Sequence, residues 1–258
     1  MVVLPRRRAA LRRLRRLRAA GQGFRGSRSR RSRLVVIVVS EIFGPTVQGE
    51  GPALGTRCGF VRLGRCPLAC SWCDSAFSWD WSRYDPATEL TEMSVDQIVE
   101  RVETMEVDTI VLTGGEPLLQ KGKLEPLVLA FRQRGWKTHV ETAGTLSWQT
   151  DLVDRWVVSP KLANSGMEAQ RRLKFDVLAE FAAIGAAFKF VVVEPSELDE
   201  VATIVDRVGA ADVWIMPEGT TVEAIAARTA ALADAVVARG WNLTTRLHVL
   251  AWGDERGR

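Results

Sequence analysis

The chain has 258 residues, enough for one α/β domain with a full core. Its formal net charge of +4 hides two unlike parts: residues 1–33 hold 13 Arg and no Lys, Asp or Glu, so the rest carries 22 basic against 31 acidic groups, a net of −9. An acidic body gives no support to nucleic-acid binding by the folded domain, no apolar run reaches the ~18 residues of a spanning helix, and four cysteines, three of them in one short stretch, suit a reducing cytoplasm rather than a disulfide framework.

The N-terminal arm comes first. Residues 12–18 alternate Arg and Leu and can form a basic helix, while 21–33 carry no core-forming pattern. The arm lacks the apolar core of a secretory signal. A nucleic-acid or membrane-surface arm is one reading, but Phe24 is its only aromatic. A disordered Arg-rich arm over 1–33, ahead of a folded domain over 34–258, is the expectation.

A strand is predicted over 34–40. It leads into Glu41-Ile42-Phe43-Gly44-Pro45-Thr46-Val47-Gln48-Gly49-Glu50-Gly51. The glycines free backbone amides for close approach to a ligand, and Gln48 and Glu50 offer polar ends; a plain hairpin turn would use the same residues. A second strand over 58–63 places Arg62 just before the cysteines. Cys58, inside that strand, reads as a small buried residue rather than a ligand.

The chain is organised around Cys66-Pro67-Leu68-Ala69-Cys70-Ser71-Trp72-Cys73-Asp74-Ser75. Three thiolates at C-x3-C-x2-C spacing fit on one loop and suit a 4Fe–4S cluster, leaving one iron without a protein ligand. An open coordination position is where metal chemistry takes place. A zinc-bound scaffold would want four closed ligands, and no fourth Cys or His lies at the usual spacing.

Beyond the loop, strands and helices alternate. Helices are expected over 96–105, 124–134, 175–185, 196–208 and 222–238, and strands over 109–112, 138–141, 155–158, 188–193, 213–215 and 246–250. Polar or Gly-rich residues recur where strands end: Thr113-Gly114-Gly115-Glu116-Pro117, Glu141-Thr142-Ala143-Gly144, Ser159-Pro160-Lys161 and Met216-Pro217-Glu218-Gly219. Two glycines at a strand end permit close approach of a ligand. Glu141 is placed to accept from ribose hydroxyls, although a surface carboxylate is the plainer alternative. His139, inside a strand, reads as a core histidine; His248 stands between a structural and a binding role. Alternating elements mean parallel pairing with a ligand site at the strands' C-terminal face. About six core strands fall short of the eight of a closed barrel, so an incomplete TIM-like barrel is expected.

At its cysteine loop the chain resembles the radical S-adenosylmethionine superfamily. There the open iron is chelated by S-adenosylmethionine, whose reductive cleavage gives a 5′-deoxyadenosyl radical; the aromatic before the third cysteine, here Trp72, lies against the adenine, and the Gly-Gly-Glu motif meets the methionine end. The likeness narrows with Val47-Gln48-Gly49-Glu50-Gly51, Arg62, Asp74, Thr113-Gly114-Gly115-Glu116-Pro117, Ser159-Pro160-Lys161 and His248-Val249-Leu250-Ala251-Trp252-Gly253. Together these resemble the 7-carboxy-7-deazaguanine synthase family, from about Glu41 to the C-terminus.

That resemblance implies conversion of 6-carboxy-5,6,7,8-tetrahydropterin to 7-carboxy-7-deazaguanine with loss of ammonia, on the way to queuosine and related deazapurines. It implies one 4Fe–4S cluster on Cys66, Cys70 and Cys73, S-adenosylmethionine, Mg²⁺, a flavodoxin- or ferredoxin-type electron donor and a homodimer. Carried over by position, Val47, Gln48, Gly49, Glu50, Arg62, Thr113 and His248 would hold the pterin. Trp72, Cys73, Asp74, Gly115, Glu141, Ser159, Pro160 and Lys161 would hold S-adenosylmethionine, and Ser75 would meet Mg²⁺. The hydrogen atom would leave C6 of the pterin, with no protein nucleophile required. Ser75 stands where the family usually has Thr, and Ala143 where it has Asn. A glycyl-radical-enzyme activating enzyme shares the loop but not the Gln48–Gly51 stretch or the Trp252-Gly253 tail. An iron–sulfur electron carrier would ligate all four irons.

Overall fold

The computed structural model describes residues 35–148 and 150–258. The arm expected over 1–33, and Leu34 at the start of the first expected strand, lie outside these. Among the described residues nine strands form one sheet: β1 (Val36–Val47), β2 (Arg57–Leu63), β3 (Thr91–Ser94), β4 (Thr109–Gly114), β5 (Lys137–Thr142), β6 (Arg155–Val158), β7 (Ala187–Val192), β8 (Asp212–Pro217) and β9 (Asn242–Leu243). Their order is β3-β1-β2-β4-β5-β6-β7-β8-β9. β1 pairs antiparallel with both β2 and β3. From β2 to β9 every pairing is parallel. β3 and β9 end the sheet without meeting, so it is an open partial barrel, as the strand–helix alternation predicts.

Six helices position this sheet: α1 (Val95–Glu103), α2 (Lys121–Gln133), α3 (Phe175–Ala183), α4 (Leu198–Val208), α5 (Val222–Ala238) and α6 (Leu247–Trp252). In α1, Val95, Ile98, Val99 and Val102 recur at helical spacing and are buried. A capping box fixes its start: Ser94 Oγ accepts from the Gln97 N–H at 3.2 Å and Gln97 Oε1 accepts from the Ser94 N–H at 2.8 Å. α4 ends on Gly209 at φ +72°, a left-handed position that glycine adopts without a Cβ clash. One core forms between the parallel strands and these helices, with Ile110, Leu112, Val140, Val158, Phe188 and Phe190 facing Ile98, Leu124, Phe131, Phe181 and Ile204. Truncating the fully buried Phe131 to Ala would cost about 3–5 kcal/mol. Cys58 lies apart from the cavity described below, buried with Phe60 and Val111, and burial pushes its thiol up to about 12.

Two expectations need correction. The first strand does not stop at residue 40 but continues to Val47, through Gly44-Pro45, with register shifts after Val39 and Phe43. β3 pairs with β1 only over 36–39. Past that point β1 has one neighbour, and a proline there removes no ladder hydrogen bond. Phe43 also stacks on Phe60 at 4.9 Å between ring centroids. The second correction concerns the strand expected over 246–250. That segment is α6, with the Leu250 N–H donating to the Arg246 carbonyl at 3.2 Å, and the last strand is the two-residue β9. Over five residues the apolar period of a strand and of a helix turn are indistinguishable. No helix among the described residues is long and apolar enough to cross a membrane.

Candidate functional site

The C-terminal ends of β2 and β4–β8 open onto a cavity of about 260 Å³. The turn after β1, the start of α6 and residues 254–258 complete its walls. All the site residues expected from the sequence line it, except Pro160, which is buried beside it.

The cysteine loop leaves the end of β2 and rests on the end of β4. The Gly115 N–H donates to the Leu63 carbonyl at 3.1 Å, and the Glu116 N–H to the Arg65 carbonyl at 2.9 Å. A Cβ on Gly115 would stand 2.3 Å from the Arg65 carbonyl oxygen and 2.9 Å from Cys66 Cβ. The clearance this glycine provides is therefore taken up first by the chain's own cysteine loop. Glu116 is fully buried and ties β4 to β5: it accepts from the Leu118 N–H at 3.0 Å, the Ala143 N–H at 2.8 Å and Thr142 Oγ1 at 2.8 Å. Burial pushes its pKa up in spite of those three donors.

Cys66, Cys70 and Cys73 line the cavity from this one loop. Burial pushes the Cys66 thiol up to about 12, and Cys70 upward too. Such thiols need nearby positive charge to ionise, which cluster irons supply. Among the described residues no three His, Cys, Asp or Glu side chains stand close enough to grip a single ion. Three thiols on one loop match the ligand set of a 4Fe–4S cluster with one iron left open. Ser75, itself buried, has Oγ 3.7 Å from Cys73 Sγ. On the neighbouring wall Lys161 Nζ lies over the Trp72 ring at 5.5 Å and donates to Ser159 Oγ at 3.0 Å.

A buried network of alternating charge centres on Glu50 and reaches the loop through Asp74. Lys189 Nζ donates to Glu50 Oε2 at 2.5 Å, and Arg246 Nε to Glu50 Oε1 at 3.1 Å. Arg246 Nη2 also donates to Asp74. Glu141 accepts from Gln48 Nε2 and Thr113 Oγ1, each at 3.0 Å, with Lys189 Nζ at 3.8 Å. Burial opposes the Glu50 carboxylate, but Lys189 and then Arg246 outweigh it and hold its pKa well below the usual range. Burial likewise opposes the Lys189 ammonium, and Glu50 and Glu141 raise it nonetheless. The His248 pKa is lowered, mainly by burial, which favours the neutral imidazole. Gly49 packs against it, since a Cβ there would meet His248 Nδ1 at 2.0 Å. On the outer wall Arg62 Nε donates to Glu41 at 2.7 Å, and Arg256 Nε meets the other oxygen of Glu41 at 3.0 Å.

Lys189, Arg246, Glu41 and Trp79 line the cavity and were not singled out from the sequence. Lys189 carries a visible signal: it interrupts the apolar run Ala187-Phe188-Lys189-Phe190, and a lysine in a buried strand needs a partner. Arg246 carries none, because the segment reads as a strand.

Residues 47–158 match the family described as a 4Fe-4S single cluster domain. The chain is 38% identical over 229 residues to a 7-carboxy-7-deazaguanine synthase of Pyrobaculum aerophilum, covering 85% of this chain and 96% of that one. It is 37% identical to the enzyme of that name from Halobacterium salinarum, over 84% of this chain and 90% of the relative. For that of Bacillus subtilis the identity is 30%, with 86% and 98% covered. The crystal structure of QueE from Escherichia coli superposes with a TM-score of 0.65 at 23% identity, covering 83% of this chain and 95% of that chain, a likeness of fold.

Proposed function

The chain belongs to the 7-carboxy-7-deazaguanine synthase family, and on that premise we propose that it is a radical S-adenosylmethionine lyase converting 6-carboxy-5,6,7,8-tetrahydropterin to 7-carboxy-7-deazaguanine and ammonia. The observation that carries this reading is one cavity in which a three-cysteine loop adjoins a buried network of Glu50, Lys189, Arg246 and Glu141. With cluster and S-adenosylmethionine bound, the site would supply hydrogen-atom abstraction from C6 of the pterin.

The chain's residues bind and orient. Cys66, Cys70 and Cys73 would hold the cluster. Arg62, with Nε already held by Glu41, keeps its Nη groups for the substrate carboxylate. Gln48, Glu50 and Thr113, with the backbone of Val47 and Gly49, would meet the donor and acceptor edges of the pterin. Neutral His248 can accept a hydrogen bond there. Glu141 spends one position on each oxygen on Gln48 and Thr113, and its remaining lone pairs suit ribose hydroxyls. Trp72, Asp74, Gly115, Ser159, Pro160 and Lys161 would complete the S-adenosylmethionine site. Ser75 would offer its hydroxyl to Mg²⁺, which would act as a hard Lewis acid on the substrate carboxylate. We further propose a cytoplasmic homodimer reduced by a flavodoxin- or ferredoxin-type donor.

The test is anaerobic. Iron and sulfide are reconstituted, dithionite, S-adenosylmethionine, Mg²⁺ and the carboxypterin are added, and products are read by mass. A deazaguanine and ammonia are expected from the parent and from Cys58→Ala, and neither from Cys70→Ala. Cleavage of S-adenosylmethionine with no deazaguanine from the parent would reject the substrate assignment.

A further inference from the structure

Trp79 follows the cysteine loop and lines the cavity. It caps a single turn, Ala76–Ser78. Its backbone N–H donates to the Ala76 carbonyl at 3.0 Å. Buried Ser78 anchors the same turn: Ser78 Oγ donates to the Ser75 carbonyl at 2.7 Å, and the Ser78 carbonyl accepts from the Arg65 N–H at 2.7 Å. The turn that carries Trp79 is thus fastened to both ends of the cysteine loop. From that platform the indole Nε1–H donates to Cys73 Sγ at 3.2 Å. An indole nitrogen is only ever a donor.

We propose that Trp79 is a positioning residue for the redox step, its indole N–H raising the reduction potential of a 4Fe–4S cluster held by Cys66, Cys70 and Cys73. The inference rests on the cluster assignment above. The step is the gain of one electron, 2+ to 1+, from a chemical reductant, with no proton or bond exchanged. Part of the added charge resides on the ligating sulfurs. A hydrogen bond to a sulfur is stronger when that sulfur is more negative, so it favours the reduced state. Removing it makes the cluster harder to reduce.

The experiment compares the reconstituted full chain with Trp79→Phe, which keeps an aromatic ring and loses the N–H. Each is titrated potentiometrically without S-adenosylmethionine, and the reduced cluster is read by electron paramagnetic resonance. The expected result is an intact cluster signal in both, with the ratio of reduced to oxidised cluster in the variant three- to tenfold lower at the parent's midpoint; tenfold corresponds to about 59 mV. Coincident midpoints would overturn the proposal. Should Trp79→Phe fail to hold a cluster, the parent labelled with ¹⁵N-indole decides. A coupling between indole nitrogen and reduced cluster is expected, because the other indole of the loop, Trp72, turns its Nε1 to Asn164 Oδ1 instead. No such coupling would overturn it. A parent with no 4Fe–4S signal at all would remove the cluster assignment, and this inference with it.

Discussion

Replacing Lys189 by Met removes the central cation of the cavity while keeping an unbranched chain of similar length. The ammonium lies 2.5 Å from Glu50 Oε2 and 3.8 Å from Glu141 Oε1. At an effective dielectric of about 20 the shorter pair attracts by ~7 kcal/mol, before desolvation is subtracted. Burying each ion costs several kcal/mol, so the intact pair contributes little, but removing one partner strands the other, at about 3–5 kcal/mol. Arg246 Nε still meets Glu50 at 3.1 Å in the variant, which places the loss near the lower end, about 3 kcal/mol. For a domain of this size that lowers Tm by roughly 6–12 °C. Thermal unfolding at pH 7, followed by circular dichroism, measures it. Lys189→Met/Glu50→Gln should recover part of the loss, since Arg246, which then loses the Glu50 carboxylate, keeps Asp74 and the Gly219 carbonyl as partners. Glu50 has a lowered folded pKa, so its contribution is full above the ordinary carboxylate value and is lost as pH falls from there toward its much lower folded value. The gap between parent and Lys189→Met should therefore be full at pH 7 and narrow below about pH 4. A Tm change under 2 °C, or a double variant as unstable as the sum of its singles, would refute the reasoning.

Three further outcomes follow from the same geometry. Gly115→Ala sets a methyl against the Arg65 carbonyl, so purified protein should carry much less of the brown cluster absorbance; parent-level absorbance would contradict the docking of loop on strand. Gly49→Ala must displace His248, and it should raise KM for the carboxypterin at least about tenfold while sparing uncoupled cleavage of S-adenosylmethionine. An unchanged KM would show that the contact is idle. Ser75→Ala should flatten the rise of product formation with Mg²⁺ and Ser75→Thr should keep it, whereas identical curves for parent and Ser75→Ala would show that this hydroxyl does not meet the metal.

Local chemistry was readable in the sequence and long-range pairing was not. The cysteine loop holds its three thiols within eight residues, so spacing reveals it. The parallel strands are short apolar runs closed by Gly, Pro or Ser, and β6 and α5 begin and end where that pattern places them. In the sequence the first strand ends at residue 40, because its apolar run stops at Val39 and the residues that follow are polar or Gly- and Pro-containing. Only the fold reveals that β1 lacks a second neighbour there and that Phe43 covers Phe60. The α6 segment reads as a strand in sequence because five residues cannot separate the two periods. The Glu50 network joins residues 139 and 196 positions apart, which no local pattern encodes. In sequence Glu50 reads as a ligand-facing end without its cations, although a lone Lys189 in a buried strand points to one of them.

The most direct test of the account is a tracer. The carboxypterin is made with deuterium at C6, turned over anaerobically by the reconstituted parent, and the 5′-deoxyadenosine recovered is weighed by mass spectrometry. One deuterium in that nucleoside, formed together with 7-carboxy-7-deazaguanine, is the predicted result. Deazaguanine formed beside unlabelled 5′-deoxyadenosine, or labelled nucleoside with no deazaguanine, would contradict the claim that this cavity aligns C6 of the pterin for the radical step.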